Sequence, residues 1–442
     1  MQPIGLASID RLNEECFCLP LERPALQAAA AARLGAGEAP WAAEALEGLS
    51  AGQPLFLPAS LRDDLFARAR AVGALLVALA ATRARAARRP FDREALLAAG
   101  TYNSFDFHLA AGGPKLIEVN TNAGGAFLQP LLLDAVTPAR TRPGFAPEEM
   151  LIDAWARLRP GRPLSRLAIV DDAPETQALY LDMRLCAAAL EARGIAVDIL
   201  DRGELRREEG ALMGPRGPID MVYSRLVDFH LREPQSAPLL DAWEAGEVVV
   251  APNPDVYRAF ADKHLLIALS DPEAAAALAA EAGADAALVL DTVPPTELVD
   301  RASADRLWEA RRDYVFKPAG GYASRGVYRG DKISRKKWDE IAGEAYLAQR
   351  FAEPSHRALR LAGGPAAHKA DIRVWAHGAE PLFAAARLYG GQVTGFRGEG
   401  AGFAPILWLE STTAEAGCAE AGCAGTQSAD KKRADTTCGA PS

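Results

Sequence analysis

Apolar residues recur at helical spacing in "RPALQAAAAARLGAG" and "SLRDDLFARARAVGALLVALAATRARAARR", with arginines on the opposite side. Residues 24–95 are therefore predicted to be helical, the first helix stopping at its glycines. The period then changes. "SFDFHLA" and "PKLIEV" read as strands, followed by glycines and the helix-like "AFLQPLLLDAV". After a Pro-rich link and another helix, "RLAIVDD", "TQALYLDMRLCAAALEARG" and "IAVDILD" give strand, helix, strand, and "IDMVYSRLVDF" and "VVVAPN" add two more strands. That order predicts a parallel sheet with helices on its faces, hence an α/β fold. Beyond Asp262 and Lys263, helices lead to "YVFKPAGGYASRGVY", a strand, a loop of small residues and a second strand. "YLAQRF", "DIRVWAHG" and "LFAAARLYGG" continue as short strands. The stretch after Glu410 is small, polar and aperiodic, and disorder is expected there.

Composition narrows the partners. The chain has 442 residues, 49% of them hydrophobic and 24% charged, with a formal net charge of −9. Such an acidic balance argues against a general nucleic-acid binder while leaving room for a local basic pocket. No run of about 18 apolar residues stands out, so no membrane span is expected, and the N-terminus lacks the pattern of a signal peptide. Six cysteines in a chain of this length do not make a disulfide framework, and a reduced, cytoplasmic setting is the expectation.

Two stretches carry chemistry. In "KLIEVNTNAGG" the period of two puts Glu118 and Asn120 on one strand face, both oxygen ligands suited to a hard cation, before the chain turns through Gly124 and Gly125. In "VFKPAGGYASRGVY" Lys317 ends a strand, and Gly320, Gly321, Ser324 and Gly326 supply a loop whose backbone N–H groups can approach phosphate oxygens. Neither a Walker loop nor a Rossmann fingerprint is present. Taken singly, each residue keeps a plain alternative: the Glu118/Asn120 face reads also as solvent-exposed, Lys263 as half of an exposed helix pair, Asp106 as a turn cap, Arg225 as a partner of Asp228, and Arg397 as a loop cation.

The second loop resembles the one that covers ATP in the ATP-grasp superfamily, with a pattern close to K-P-x-x-G-x-x-S-x-G-V. The resemblance assigns "AYLAQRFAEP" as the strand whose backbone holds adenine, through Ala348, Gln349, Arg350 and Phe351, and Arg373 of "HKADIRVWAHG" as the arginine reaching phosphates or the acyl group. The E-x-N pair precedes the loop here. That order is similar to the circularly permuted branch, which contains eukaryotic-type glutathione synthetase and glutathionylspermidine synthetase. On that likeness Asp106 joins Glu118 and Asn120 as the metal-side set, Arg225 offers itself to substrate, Lys263 is the first ATP lysine, and Arg397 in "GGQVTGFRGEGAGFAP" contacts substrate or transition state. Two positions depart from the branch: Ser104 stands where an arginine is common, and Gly321 where glutathione synthetase has an acidic metal ligand.

The resemblance implies five segments: a helical region 1–98, a permuted metal-strand segment 99–160, a Rossmann-like substrate region 161–260, the nucleotide-binding subdomains 261–410, and the tail 411–442. It further implies ATP and Mg²⁺ as cofactors, small carboxylate and amine substrates, a homodimer, and amide-bond formation through an acyl phosphate. An ATP-binding protein without turnover and a phosphotransferase are the competing expectations.

Overall fold

The computed structural model describes residues 6–17, 19–137, 146–320 and 326–410. Gly321, Ser324 and the 411–442 tail lie outside the described residues. Helices and sheets interleave as the α/β expectation requires. Helices α1 (Leu6–Glu15), α2 (Arg23–Leu34), α3 (Ala39–Glu47) and α4 (Ala59–Ala86) open the chain.

The sheet that positions the site takes strands from both ends of the chain. β2 (Asn103–Ala110) and β3 (Gly113–Asn120) form an antiparallel hairpin, and β2 pairs with β16 (Gly364–His377). β17 (Glu380–Tyr389) and β18 (Gly402–Ala404) continue the sheet in the order β18-β17-β16-β2-β3, with β15 (Ser355–Leu361) also on β16. One face of this sheet is a core. Phe105, Phe107, Leu116, Ile372, Val374 and Leu388 pack with Leu65, Val72, Leu75 and Leu76 of α4. Alternation then sends Ser104, Asp106 and His108 of β2 to the other face. α4 is long and apolar enough to cross a membrane by length and composition, contrary to the expectation of no such segment; half of its apolar window is buried inside the fold.

A second sheet, β11 (Thr296–Leu298), β14 (Tyr346–Arg350), β12 (Tyr314–Pro318) and β13 (Tyr328–Arg329), stands opposite the first. Its outer face packs Phe316 and Ala348 against Trp338 of the helix Arg335–Gly343 in a small core, which leaves Val315, Lys317 and Gln349 on the inner side. The expected parallel sheet is also present, in the order β10 (Val249–Ala251), β9 (Met221–Ser224), β4 (Arg166–Asp171), β5 (Ala196–Asp201).

Some elements escaped the sequence reading. β1 (Leu55–Pro58) lies in the region predicted to be all helix and pairs in parallel with β19 (Ile406–Leu409). β6 (Arg206–Glu208), β7 (Ala211–Gly214) and β8 (Gly217–Pro218) form a small ribbon. Cys16 is disulfide-bonded, a departure from the reduced thiols expected, while Cys186 is a buried free thiol.

Candidate active site

Cross-strand register builds the site in two rows. Asp106 stands opposite Glu118 on one side and Arg373 on the other. His108 stands opposite Asp371, which in turn stands opposite Arg387. Asp106 is fully buried and takes a two-pronged contact from Arg373, Nε to Oδ1 at 2.8 Å and Nη2 to Oδ2 at 2.7 Å. Arg387 Nη2 adds a third bond to Oδ2 at 2.8 Å, and its Nε donates to Asp371 at 2.6 Å. Ser104 Oγ and Asn120 Nδ2 complete the Asp106 shell at 3.2 and 3.1 Å. Burial alone raises a carboxyl pKa, but the charges of Arg373 and Arg387 more than reverse this and hold Asp106 at about 2. Arg387 is pushed up in turn, Asp106 and Asp371 outweighing its burial.

Lys317 comes from the opposite sheet. It is 5% exposed, and its Nζ donates to the Ile117 carbonyl and to Gln349 Oε1, each at 2.7 Å. Burial pulls its ammonium down to about 8, against the charge of Glu118; the charge of Lys263 pulls the same way as burial. Lys263 is thus near enough for its charge to act on Lys317, without being among the residues that line the cleft between the two sheets. Lys317, Glu118, Gln349 and Arg387 line one cleft of about 80 Å³ between the two sheets. A larger cavity of about 640 Å³ lies among the ends of α4 and β10; it holds none of the predicted site residues, so chemistry rather than size selects the cleft.

The remaining predicted residues are placed as follows. Gly320 is exposed at the end of β12, and Gly326 has φ 72°, where an added Cβ would lie 3.0 Å from the Tyr346 hydroxyl. Arg350 and Phe351 reach the cleft. Their N–H groups are already bonded to the carbonyls of Pro295 and Asp313 at 2.8 and 2.7 Å, and the Ala348 side chain belongs to the core behind. Arg225 is half-buried where the chain leaves β9. Its Nη1 donates to the Asn122 carbonyl at 2.7 Å, two residues beyond Asn120, and not to Asp228, which pairs with Arg202. Beside it, burial raises the Asp171 carboxyl to about 6, against the Asp172 N–H and the charge of Arg225. Arg397 is exposed in the 390–401 loop.

Arg387, Asp371 and Asp171 were missed. Arg387 carried a signal, being the single charge within the strand "LFAAARLYGG", but glycines drew attention to Arg397 instead.

The metal-side set can be tested against its bonds. Glu118 receives Asn120 Nδ2 at 3.3 Å and otherwise faces the cleft, and the Asn120 carbonyl oxygen makes no hydrogen bond among the described residues. Both suit Mg²⁺. Asp106 does not in this arrangement, since its two oxygens already accept five hydrogen bonds from four side chains.

No protein-family model and no curated protein matches the chain. Among solved structures it is similar to a glutathione synthetase-like effector from Globodera pallida, at 13% identity and TM-score 0.51, over 82% of this chain and 90% of that one. The fold is that of the glutathione synthetase-like ATP-grasp proteins. Within that ATP-grasp fold, the early hairpin β2–β3 sits beside the late strand β16, as the permuted order of motifs had implied. A gamma-glutamylcysteine synthetase-like protein from Methylobacillus flagellatus KT (13% identity, TM-score 0.44, 73% of this chain and 82% of that one) is also similar. So is the ATP-grasp ligase PsnB in complex with minimal precursor, Mg and ADP (14%, TM-score 0.29, 56% and 90%).

Proposed function

We propose that this chain is an ATP-dependent ligase that joins the carboxylate of one small, amino-acid-like molecule to the amine of another through an acyl phosphate. The observation supporting it is the convergence of Lys317, Glu118 and Arg387 on one cleft between two sheets. Lys317 and Lys263 would hold phosphates as cations. Glu118 and Asn120 would hold Mg²⁺, which supplies charge neutralisation when bound. Arg387 and Arg373 are fixed by Asp106 before any nucleotide arrives, so their charge is available to a developing anion without reorganisation. Arg225, tied to the turn beyond Asn120, would hold a substrate carboxylate, and Arg397 would meet the substrate from the loop. No side-chain nucleophile is needed; positioning and electrostatics carry the reaction.

Calorimetry of ATP binding with and without Mg²⁺ tests this, comparing wild type with Lys317→Ala and Glu118→Gln. Binding weakened in both variants, followed by amine-dependent phosphate release, is the expected result. Phosphate transfer that needs no amine would turn the reading to a phosphotransferase, and binding without turnover to a nucleotide-binding protein. Absence of binding in a folded wild type would sink it.

A further inference from the structure

One side chain of the cleft carries a donor that nothing accepts. Gln349 stands opposite Val315 in register and is 4% exposed. Lys317 Nζ donates to its Oε1 at 2.7 Å. An ammonium only donates, so this bond fixes which end of the amide faces Lys317 and turns the N–H₂ end away from it. That nitrogen, Nε2, is buried and has no hydrogen-bond partner among the described residues. Leaving such a donor unmet is unfavourable, and native proteins rarely do so without a reason.

The surroundings of the amide point to that reason. Pro294, Val315, Val327 and Phe351 supply apolar lining to the same cleft, and the Arg329 guanidinium lies 4.1 Å over the Phe351 ring. Apolar lining with one free donor suits the edge of a flat heterocycle. Other donors nearby are committed. The N–H groups of Arg350 and Phe351, which follow Gln349 in the chain, already bond to the carbonyls of Pro295 and Asp313. Lys317 spends two of its three protons on Ile117 and Gln349, and the third is the one that faces phosphate in the proposed function. A base in this cleft is therefore left to a side-chain donor.

On the nucleotide reading of the cleft, on which this rests, we infer that Gln349 is a specificity-determining residue whose side-chain N–H₂ donates to N7 of a purine. Adenine and guanine both carry N7 as an acceptor, and pyrimidines have no counterpart. N7 is also the ring acceptor on the phosphate side of an ordinary nucleotide, and Gln349 is bonded to the phosphate-side cation Lys317. Gln349 thus selects a purine without choosing between the two.

Calorimetry with ATP and with 7-deaza-ATP, in which a C–H replaces N7, tests this in wild type, Gln349→Met and Gln349→Glu. Wild type is expected to bind ATP about five- to tenfold more tightly than the analogue, the worth of roughly one hydrogen bond. Met keeps the length of the side chain, and Glu keeps an oxygen for Lys317; neither has the N–H₂. The readout is the ratio of the two dissociation constants, expected to fall to about one or below in both variants. A merely structural Gln349 would weaken both nucleotides and leave that ratio unchanged. Gln349→Glu covers the case of a poorly folded Gln349→Met. Equal binding of the two nucleotides by wild type, or a wild-type ratio that survives in the variants, overturns the assignment. A folded wild type that binds neither nucleotide defeats the cleft reading and the assignment with it, so the two failures are distinguishable.

Discussion

Lys317 meets Ile117 across the cleft, its ammonium donating to the Ile117 carbonyl at 2.7 Å. Ile117 can offer that carbonyl because the β2–β3 register shifts between Asp106 and Phe107, so Ile117 has no partner on β2. A bulge thus re-aims the backbone beside Glu118 and gives the opposite sheet a point of attachment. The irregularity delivers a buried cation next to a carboxylate.

That lysine makes nucleotide affinity pH-dependent. Its folded pKa is about 8, lowered from 10.5, so above pH 8 the folded protein loses the charge that a phosphate requires. Between 8 and 10.5 the unfolded chain binds the extra proton, so this group favours folding increasingly across the same window. The dissociation constant of a fluorescent ATP analogue should rise by up to about tenfold per pH unit above 8. In Lys317→Arg, which stays charged, it should be flat. A flat wild-type profile would contradict the prediction.

Asp106 anchors two buried guanidinium groups, and Asp106→Asn should cost about 3–5 kcal/mol in urea denaturation at pH 7, since it leaves Arg373 and Arg387 under-neutralised. With a folded pKa of about 2 against 3.8, the wild-type contribution is complete above pH 4. It is lost as pH falls from about 4 to 2, so the gap between the two proteins should narrow there.

Ser104 occupies the place where the permuted branch commonly has arginine. It is fully buried, and Arg373 and Arg387 already supply positive charge against Asp106. Ser104→Arg should therefore destabilise by about 1–3 kcal/mol through overpacking without tightening ATP binding. Tighter binding measured by calorimetry would mean a charge is missing after all.

Gly125 explains the abrupt turn after the metal-side strand. Its φ is 95°, and an added Cβ would lie 2.2 Å from Phe403. Gly125→Ala should cost more than about 3 kcal/mol, strain and overpacking together. Gly194→Ala, with φ 81° and nothing within 4 Å, should cost only the strain, about 1–2 kcal/mol. Similar unfolding midpoints for the two variants would refute this.

Much of the site was legible because a strand's period of two is a local property. "SFDFHLA" separates Phe105 and Phe107 from Ser104, Asp106 and His108 without knowledge of any partner. What the neighbours do with those residues is non-local. Asp106 read as a metal ligand, and only the register with β16 and β17 shows it enclosed by arginines. Likewise β1 is four residues long and acquires its role from β19 at the other end of the described chain, so no periodicity marked it. Backbone donors at Arg350 and Phe351 were assigned to a base by resemblance, and the pairing that occupies them is again tertiary.

The strand order also has a consequence for synthesis. Asp106 and Arg373 are 267 residues apart, so a ribosome releases the β2–β3 hairpin long before the arginines that neutralise it. During that interval the open edge of β2 exposes unpaired backbone and a carboxylate without its counter-charges. Long-range pairing of this kind slows folding and leaves edges open to wrong partners. The nascent protein therefore depends on whatever shields that edge until its last strands emerge.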